Sequence, residues 1–310
     1  MIGSEERVGD DGLEPPGTLA RLFLAAMRRH DRAAVLLHHD GVKWRETPDW
    51  RFERQVIRLA LFVGDRARLV PGDRVAIVSG LCPESLVAEL AAIAQGAAAV
   101  AIDPDLPPEA VRRAIEETAP AVAFVANAPA PEWTSGARAL VCLHGKAEGA
   151  WAWSEALDLG GTLDTPERAQ SFRAQAREVA PDSRALGYLA GSDGLLQCQF
   201  LTQAEAVARM RALRTGSPAR KGAVAHVSAS PTLAARLALL SFVVDGSTTC
   251  AVGMPGREVA GLQPDWVVGP AGAPTSGRPA PPAPRRAGAR LFDRILAPFR
   301  RDRREVKLER

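Results

Sequence analysis

The stretch Gly72 to Val125, GDRVAIVSGLCPESLVAELAAIAQGAAAVAIDPDLPPEAVRRAIEETAPAVAFV, carries the pattern that decides the fold. Arg74 to Ser79 is a short apolar run of strand type, and Ala97 to Ile102 and Val122 to Val125 repeat it. Two helical patterns alternate with them, Pro83 to Gln95 and Pro108 to Thr118, the first closed by Gly96. Strands that are apolar throughout, alternating with amphipathic helices, imply a parallel sheet covered by helices. The chain is therefore read as α/β with a mostly parallel, helix-covered sheet.

Upstream, Thr18 caps a helix with Leu19, Leu22, Phe23 and Ala26 on one face. Ala33 to Leu37, a turn at Asp40-Gly41, and Val42 to Glu46 read as a hairpin. Trp50 to Leu69 has helical spacing and stops at Pro71-Gly72. Downstream, a strand is expected at Ala139 to Leu143 and a helix around Trp151 to Leu157, with Trp133, Trp151 and Trp153 as packing residues. Gln203 to Leu213 and Leu233 to Val243 read as helices, and Val224 to Val227, Thr248 to Val252 and Trp266 to Val268 as strands. His226 is read as an ordinary strand-end residue.

Composition sets the bounds. The 310 residues are 46% hydrophobic and 24% charged, enough for a sizeable core. Cys82, Cys142, Cys198 and Cys250 lie far apart with no C-x-x-C pair, which speaks against disulfides and a zinc site and fits a reducing cytoplasm. The polar, acidic start MIGSEERVGDDGLEPPG is unlike a signal peptide, and no apolar run reaches the roughly 20 residues of a membrane span. Residues 1–17 have the composition of a disordered lead-in, 18–268 form the body, and 269–289 read as a Pro/Gly/Ala-rich linker. The tail, 290–310, is basic: from Arg285 onward ten Arg/Lys face four acids, a net of +6, against +3 for the whole chain.

A second stretch, Gly187 to Gln203 (GYLAGSDGLLQCQFLTQ), has the layout of a phosphate-binding loop. The apolar run Ala185 to Ala190 leads into Gly191, Ser192, Asp193 and Gly194, and a helical pattern starts after Thr202. Strand, glycine loop and helix are the context in which backbone N–H groups converge on an anion.

Residue by residue this stretch resembles the signature of AMP-forming acyl-CoA synthetases and their adenylating relatives, Y-T-S-G-T-T-G-x-P-K-G-x-x-x-T-H. Tyr188, Gly191, Ser192, Gly194 and Thr202 fall on matching or near-matching positions. Elsewhere Leu189 and Ala190 replace a Thr and a Ser, and Asp193 replaces a loop Thr. Leu196, Gln197, Cys198 and Gln203 stand where the family has Pro, Lys, Gly and His. The segment Gly72 to Val125 is similar to the N-terminal region of fatty-acyl-CoA synthetases in its Gly72 to Val75 opening, its Pro83-Glu84 pair, the Gly96 turn and the Asp103-Pro104 corner. Ser228 to Leu233 lies where the family carries a Pro-Leu-x-His turn bordering the acyl pocket, and His226 is too far upstream to replace that histidine.

The resemblance covers Thr18 to Val268, the first part of a synthetase, and implies its N-terminal α/β domain in truncated form, with Tyr188, Gly191, Ser192, Gly194 and Thr202 as a degenerate ATP/AMP loop. For the family it implies ATP with Mg²⁺. The substitutions argue otherwise here: Gln197 removes a charge-assisted phosphate contact, and Asp193 adds a carboxylate. Like charges about 4 Å apart cost roughly 1 kcal/mol in water and about 4 kcal/mol near a protein surface, and about 1.4 kcal/mol is a decade of affinity.

The expectation is a non-catalytic, truncated relative with no catalytic residue, cofactor or metal, acting as an interaction or regulatory module in acyl metabolism. Its partner would be another protein, such as a complete synthetase or a carrier protein, with no specific nucleic acid. The alternatives are an active fatty-acid ligase, or a half-enzyme that forms acyl-adenylate with another chain, and an acyl or nucleotide sensor. The cytoplasmic location expected for it includes peripheral contact of 290–310 with an anionic membrane.

Overall fold

Thr18 opens the first helix as expected: its hydroxyl accepts a hydrogen bond from Arg21 N at 3.2 Å, and α1 runs Leu19–Arg29. The computed structural model describes residues 17–29, 32–39, 43–127, 136–192, 195–215, 222–228, 231–245, 248–253, 266–268 and 274–276. Outside them lie the lead-in 1–16, the Asp40-Gly41 turn, Trp133, Asp193 and Gly194, most of the linker, and the tail 290–310.

The elements continue as β1 (Leu36–His39), β2 (Trp44–Thr47), α2 (Asp49–Arg66), β3 (Arg74–Val78), α3 (Pro83–Ala94), β4 (Ala98–Ile102), α4 (Pro108–Thr118) and β5 (Val122–Val125). Then follow β6 (Ala139–Cys142), β7 (Trp151–Ala152), α5 (Trp153–Leu163), α6 (Pro166–Arg177), β8 (Arg184–Ser192), β9 (Leu195–Thr202) and α7 (Gln203–Thr215). The described chain closes with β10 (Ala223–Ser228), α8 (Leu233–Asp245), β11 (Thr248–Gly253), β12 (Trp266–Val268) and β13 (Pro274–Ser276).

Where a single sheet was expected, the described strands form two. The first has seven strands in the order β7-β6-β5-β3-β4-β8-β9, and the second six in the order β13-β12-β10-β11-β1-β2. In both, the interior pairs are parallel; β9 in the first sheet and β13 and β2 in the second are antiparallel edge strands, while β7 is a parallel edge. Helix α8 touches β10 and β11 on one side and β8 on the other, and α1 and α3 pack beside it, so helices fill the space between the two sheets. The largest core is this middle layer, from Leu19, Phe23, Phe52 and Phe62 through Leu90 and Ile93 to Leu239 and Phe242. On the far face of the seven-stranded sheet, Val111, Ala114 and Ile115 of α4 cover Ala76, Val100 and Ala123.

Gly96 makes the α3–β4 turn in the left-handed region, at φ +76, with a built Cβ only 3.2 Å from Pro71, so glycine is the residue this corner accepts.

Three local readings need correction. The helix expected at Trp151 begins at Trp153, because Trp151 and Ala152 pair with Val141 and Cys142 as an edge strand. Trp151 is partly exposed and packs edge-on to Phe62, with ring centroids 5.7 Å apart. Helix α6 was not foreseen, although Thr165 caps it, accepting from Arg168 N at 3.3 Å, with Pro166 in its first turn. Finally, the sheet continues into the stretch read as linker. Pro274–Ser276 pairs antiparallel with Trp266–Val268, with its proline on an edge strand, where a missing N–H is tolerated.

Candidate functional site

The seven-stranded sheet has a switch point. From β3 the chain crosses by α3 to β4, then returns by α4 past β3 to β5. Helix α3 lies on the inner face and α4 on the outer, so the two connections diverge at the carboxyl ends of the strands. In open α/β sheets ligands bind in the crevice outside those ends. The candidate loop stands on the same rim, since β8 is parallel to β4 and outruns it: Ile102 pairs with Leu189, beyond which Ala190, Gly191 and Ser192 project.

The helix expected after Thr202 forms as α7, but the residues between the glycines and Thr202 are a strand and not an open loop. Strand β9 intervenes, paired antiparallel to β8 up to Gly191↔Leu196 and Ser192↔Leu195. Leu196-Gln197-Cys198-Gln199-Phe200 does alternate apolar and polar, a strand signal that the likeness to a phosphate-binding loop overrode. Only two residues, Asp193 and Gly194, separate the paired strands, and Asp-Gly is a favoured sequence for a two-residue hairpin. Gly191 and Ser192 thus belong to a ladder, which engages backbone groups that a phosphate cradle would leave free. Gly194 lies outside the described residues.

Tyr188 is half-buried within β8. Burial pushes its phenol up, and the charge of the nearby Asp103 carboxylate reinforces the rise. Asp103 is itself tied to the rim, its N–H donating to Leu189 O at 3.4 Å. A carboxylate therefore sits beside the end of the parallel ladder.

Thr202 does not join this group. It pairs with Arg184 at the far end of the hairpin, seven residues or about 23 Å of extended chain from Leu195. Its hydroxyl accepts from Glu205 N at 3.2 Å while its N–H donates to Glu205 Oε2 at 2.8 Å, a capping box that starts α7. Gln203, in the position of the signature's histidine, is fully buried. Its Oε1 accepts from Ala20 N at 3.2 Å and its Nε2 donates to Ile93 O at 3.4 Å, joining α1, α3 and α7.

The family AMP-binding enzyme matches residues 24–256. The chain belongs to this AMP-binding family. Among solved structures it is similar to acetoacetyl-CoA synthetase from Streptomyces lividans, at 20% identity and TM-score 0.63, over 77% of this chain and 39% of that one. The N-terminal subdomain of Klebsiella oxytoca NpsA, in complex with 3-hydroxybenzoyl-AMSN, matches at 17% identity and TM-score 0.56, over 78% and 55%. Mycobacterium tuberculosis fatty acyl CoA synthetase matches at 15% and 0.55, over 78% and 45%. No curated protein sequence matches the chain. The chain spans less than two thirds of the length of these structures, and at such identities the likeness is one of fold.

Other features of the body were not visible in its sequence. Between α7 and α8 lies an apolar cleft of about 470 Å³, lined by Leu213, Leu233, Leu237, Gln199 and Arg209. A polar cleft of about 370 Å³ is lined by His38, Arg45, Glu46, Arg51, Glu84 and Trp153. At the rim, Cys82, Glu84 and His144 bring ligand atoms within 4.8 Å of one another.

His226 is inside β10, paired with Ala251 and Val267. It is not at the strand end. Its Nε2 is buried without a partner, and burial lowers its pKa from 6.5. A histidine held neutral by the fold stabilises fully above the unfolded value and loses that contribution as pH falls through the folded one. Stability is therefore expected to decline as pH drops below 6.5, and His226→Leu should flatten the decline in urea titrations at stepped pH. No helix among the described residues is long and apolar enough to cross a membrane.

Proposed function

We propose that this AMP-binding protein is a non-catalytic relative of acyl-CoA synthetases, acting as an interaction or regulatory module in acyl metabolism, with a complete synthetase or a carrier protein as its partner. The observation that carries this is the β8–β9 hairpin, whose ladder runs up to Ser192↔Leu195 where the family signature places its phosphate-binding residues. Asp103 beside it opposes a polyphosphate, and in the sequence Asp193 stands for the signature's threonine and Gln197 for its lysine, adding one negative charge and removing one positive.

Pyrophosphate exchange with ATP and a panel of fatty acids tests the reading. The purified chain is expected to give no exchange and to bind ATP more weakly than millimolar; clear exchange overturns it. Asp193→Thr with Gln197→Lys is expected to tighten ATP by at least tenfold without restoring exchange, because one opposing charge is removed and one favourable charge added.

A second reading, an acyl sensor, is favoured by the apolar α7–α8 cleft, which begins at Leu233 where the family's turn borders its acyl pocket. Saturable fatty-acid binding that Leu237→Arg abolishes would support it over the first.

A further inference from the structure

We propose that Cys82, Glu84 and His144 form a binding site for a divalent transition metal of the zinc type. The three ligand atoms lie within 4.8 Å of one another, yet the residues come from separate loops. Cys82 and Glu84 follow β3 and open α3, whereas His144 follows β6. These strands flank β5 at the switch point, on the carboxyl rim where α/β sheets place ligands.

The ordinary account of each residue leaves something over. Cys82 caps α3, its Sγ accepting from Ser85 N at 3.4 Å and lying 3.7 Å from Ser79 Oγ. Glu84 is in the first turn of α3, where the helix dipole favours an acid. Neither role accounts for Glu84 Oε2, which is buried with no hydrogen-bond partner although buried polar atoms are normally satisfied. Nor does either require an imidazole beside the thiol. A cation shared by the three would satisfy the carboxylate and account for the histidine.

The donor set selects the metal. Thiolate and imidazole favour zinc and its neighbours over magnesium or calcium. Three protein ligands leave a fourth position for water. A tetrahedral ion with bonds of about 2.0–2.3 Å sets its ligand atoms about 3.5 Å apart, so the cluster must close by roughly 1 Å. The backbone of His144 is fixed, its N–H donating to Ala126 O at 3.0 Å and its carbonyl accepting from Cys142 Sγ at 3.1 Å, while its side chain is exposed and free to turn inward. Ser85 N and Ser79 Oγ remain to support the sulfur. On binding, Cys82 releases its proton to solvent and coordinates as thiolate.

Cobalt(II) titration of the full-length, reduced, metal-free chain tests the site. One equivalent is expected to give a thiolate-to-cobalt charge-transfer band in the near-ultraviolet with intense four-coordinate visible bands, all displaced by zinc(II). Cys82→Ser should remove the charge-transfer band, and His144→Ala should weaken binding at least tenfold, the scale seen when even an outer-shell partner is lost. Cys198→Ser, at an exposed cysteine outside the cluster, should leave the band unchanged. Zinc should raise the melting temperature of the wild type and not of Cys82→Ser, with circular dichroism confirming that the variants are folded. Absence of the band, its survival in Cys82→Ser, undiminished affinity in His144→Ala, or its loss in Cys198→Ser overturns the proposal.

Discussion

Arg236→Ala is expected to lower the stability of the chain by about 3–5 kcal/mol, the cost of leaving one member of a buried ion pair uncompensated. Arg236 is 1% exposed and sits on α8 in the layer between the sheets. Its Nε donates to Glu89 Oε2 at 2.8 Å and its Nη2 to Ala99 O at 3.0 Å, and Nη1 bonds the Gly187 carbonyl. One guanidinium thereby joins α8, α3, β4 and β8.

Burial raises the pKa of Glu89 and Arg236 opposes that rise. Without the arginine the rise is larger, so the folded variant holds its proton more tightly than the unfolded chain. The deficit should then be greatest above Glu89's raised value and shrink as pH falls toward the ordinary carboxylate range. Urea unfolding at stepped pH measures both effects. Arg236→Met with Glu89→Leu should lose less than Arg236→Ala alone, since no buried charge is left, although two carbonyls still lose a donor. A single variant as stable as the wild type would show that the pair contributes nothing.

The parts legible in the sequence were those with a local cause. α4 was readable to the residue because Pro108 opens it and its apolar positions repeat at helical spacing, and β3, β4 and β5 announced themselves as runs apolar on both faces. Thr202 was placed in the site by resemblance, yet its neighbour Glu205, three residues on, already spelled a capping box. What failed was non-local. Two sheets rather than one follow from where β10 finds a partner, which no window of sequence contains. Helix α6 buries only Ala169, Phe172 and Ala176 on an otherwise polar helix, too thin a stripe to stand out. Cys82 and His144 are dozens of residues apart and meet only because β3 and β6 end on one rim.

Two adjacent glycines in α5 should respond oppositely to alanine. A Cβ built on Gly160 lies 2.0 Å from Arg58 O and 2.6 Å from Arg58 C, both backbone atoms of α2. No side chain can move aside to relieve that overlap, so the two helices must separate. Separation would loosen the ion pairs of Asp164, at the end of α5, with Arg54 at 2.7 Å and Arg58 at 3.4 Å, which bridge this interface. Overpacking of a well-filled contact costs typically 1–3 kcal/mol and sometimes more, and with backbone as the obstacle Gly160→Ala is expected at about 3 kcal/mol or above. At Gly161 the nearest atom to a built Cβ is Arg58 Cζ at 3.4 Å, the end of a flexible side chain. The clash is then negligible, and the better helix propensity of alanine, worth up to about 1 kcal/mol over glycine, should prevail. Urea denaturation of the two single variants decides it: Gly161→Ala at or above wild-type stability beside a strongly destabilised Gly160→Ala is the expected result, and equal behaviour of the two would mean that α5 does not cross α2 at Gly160.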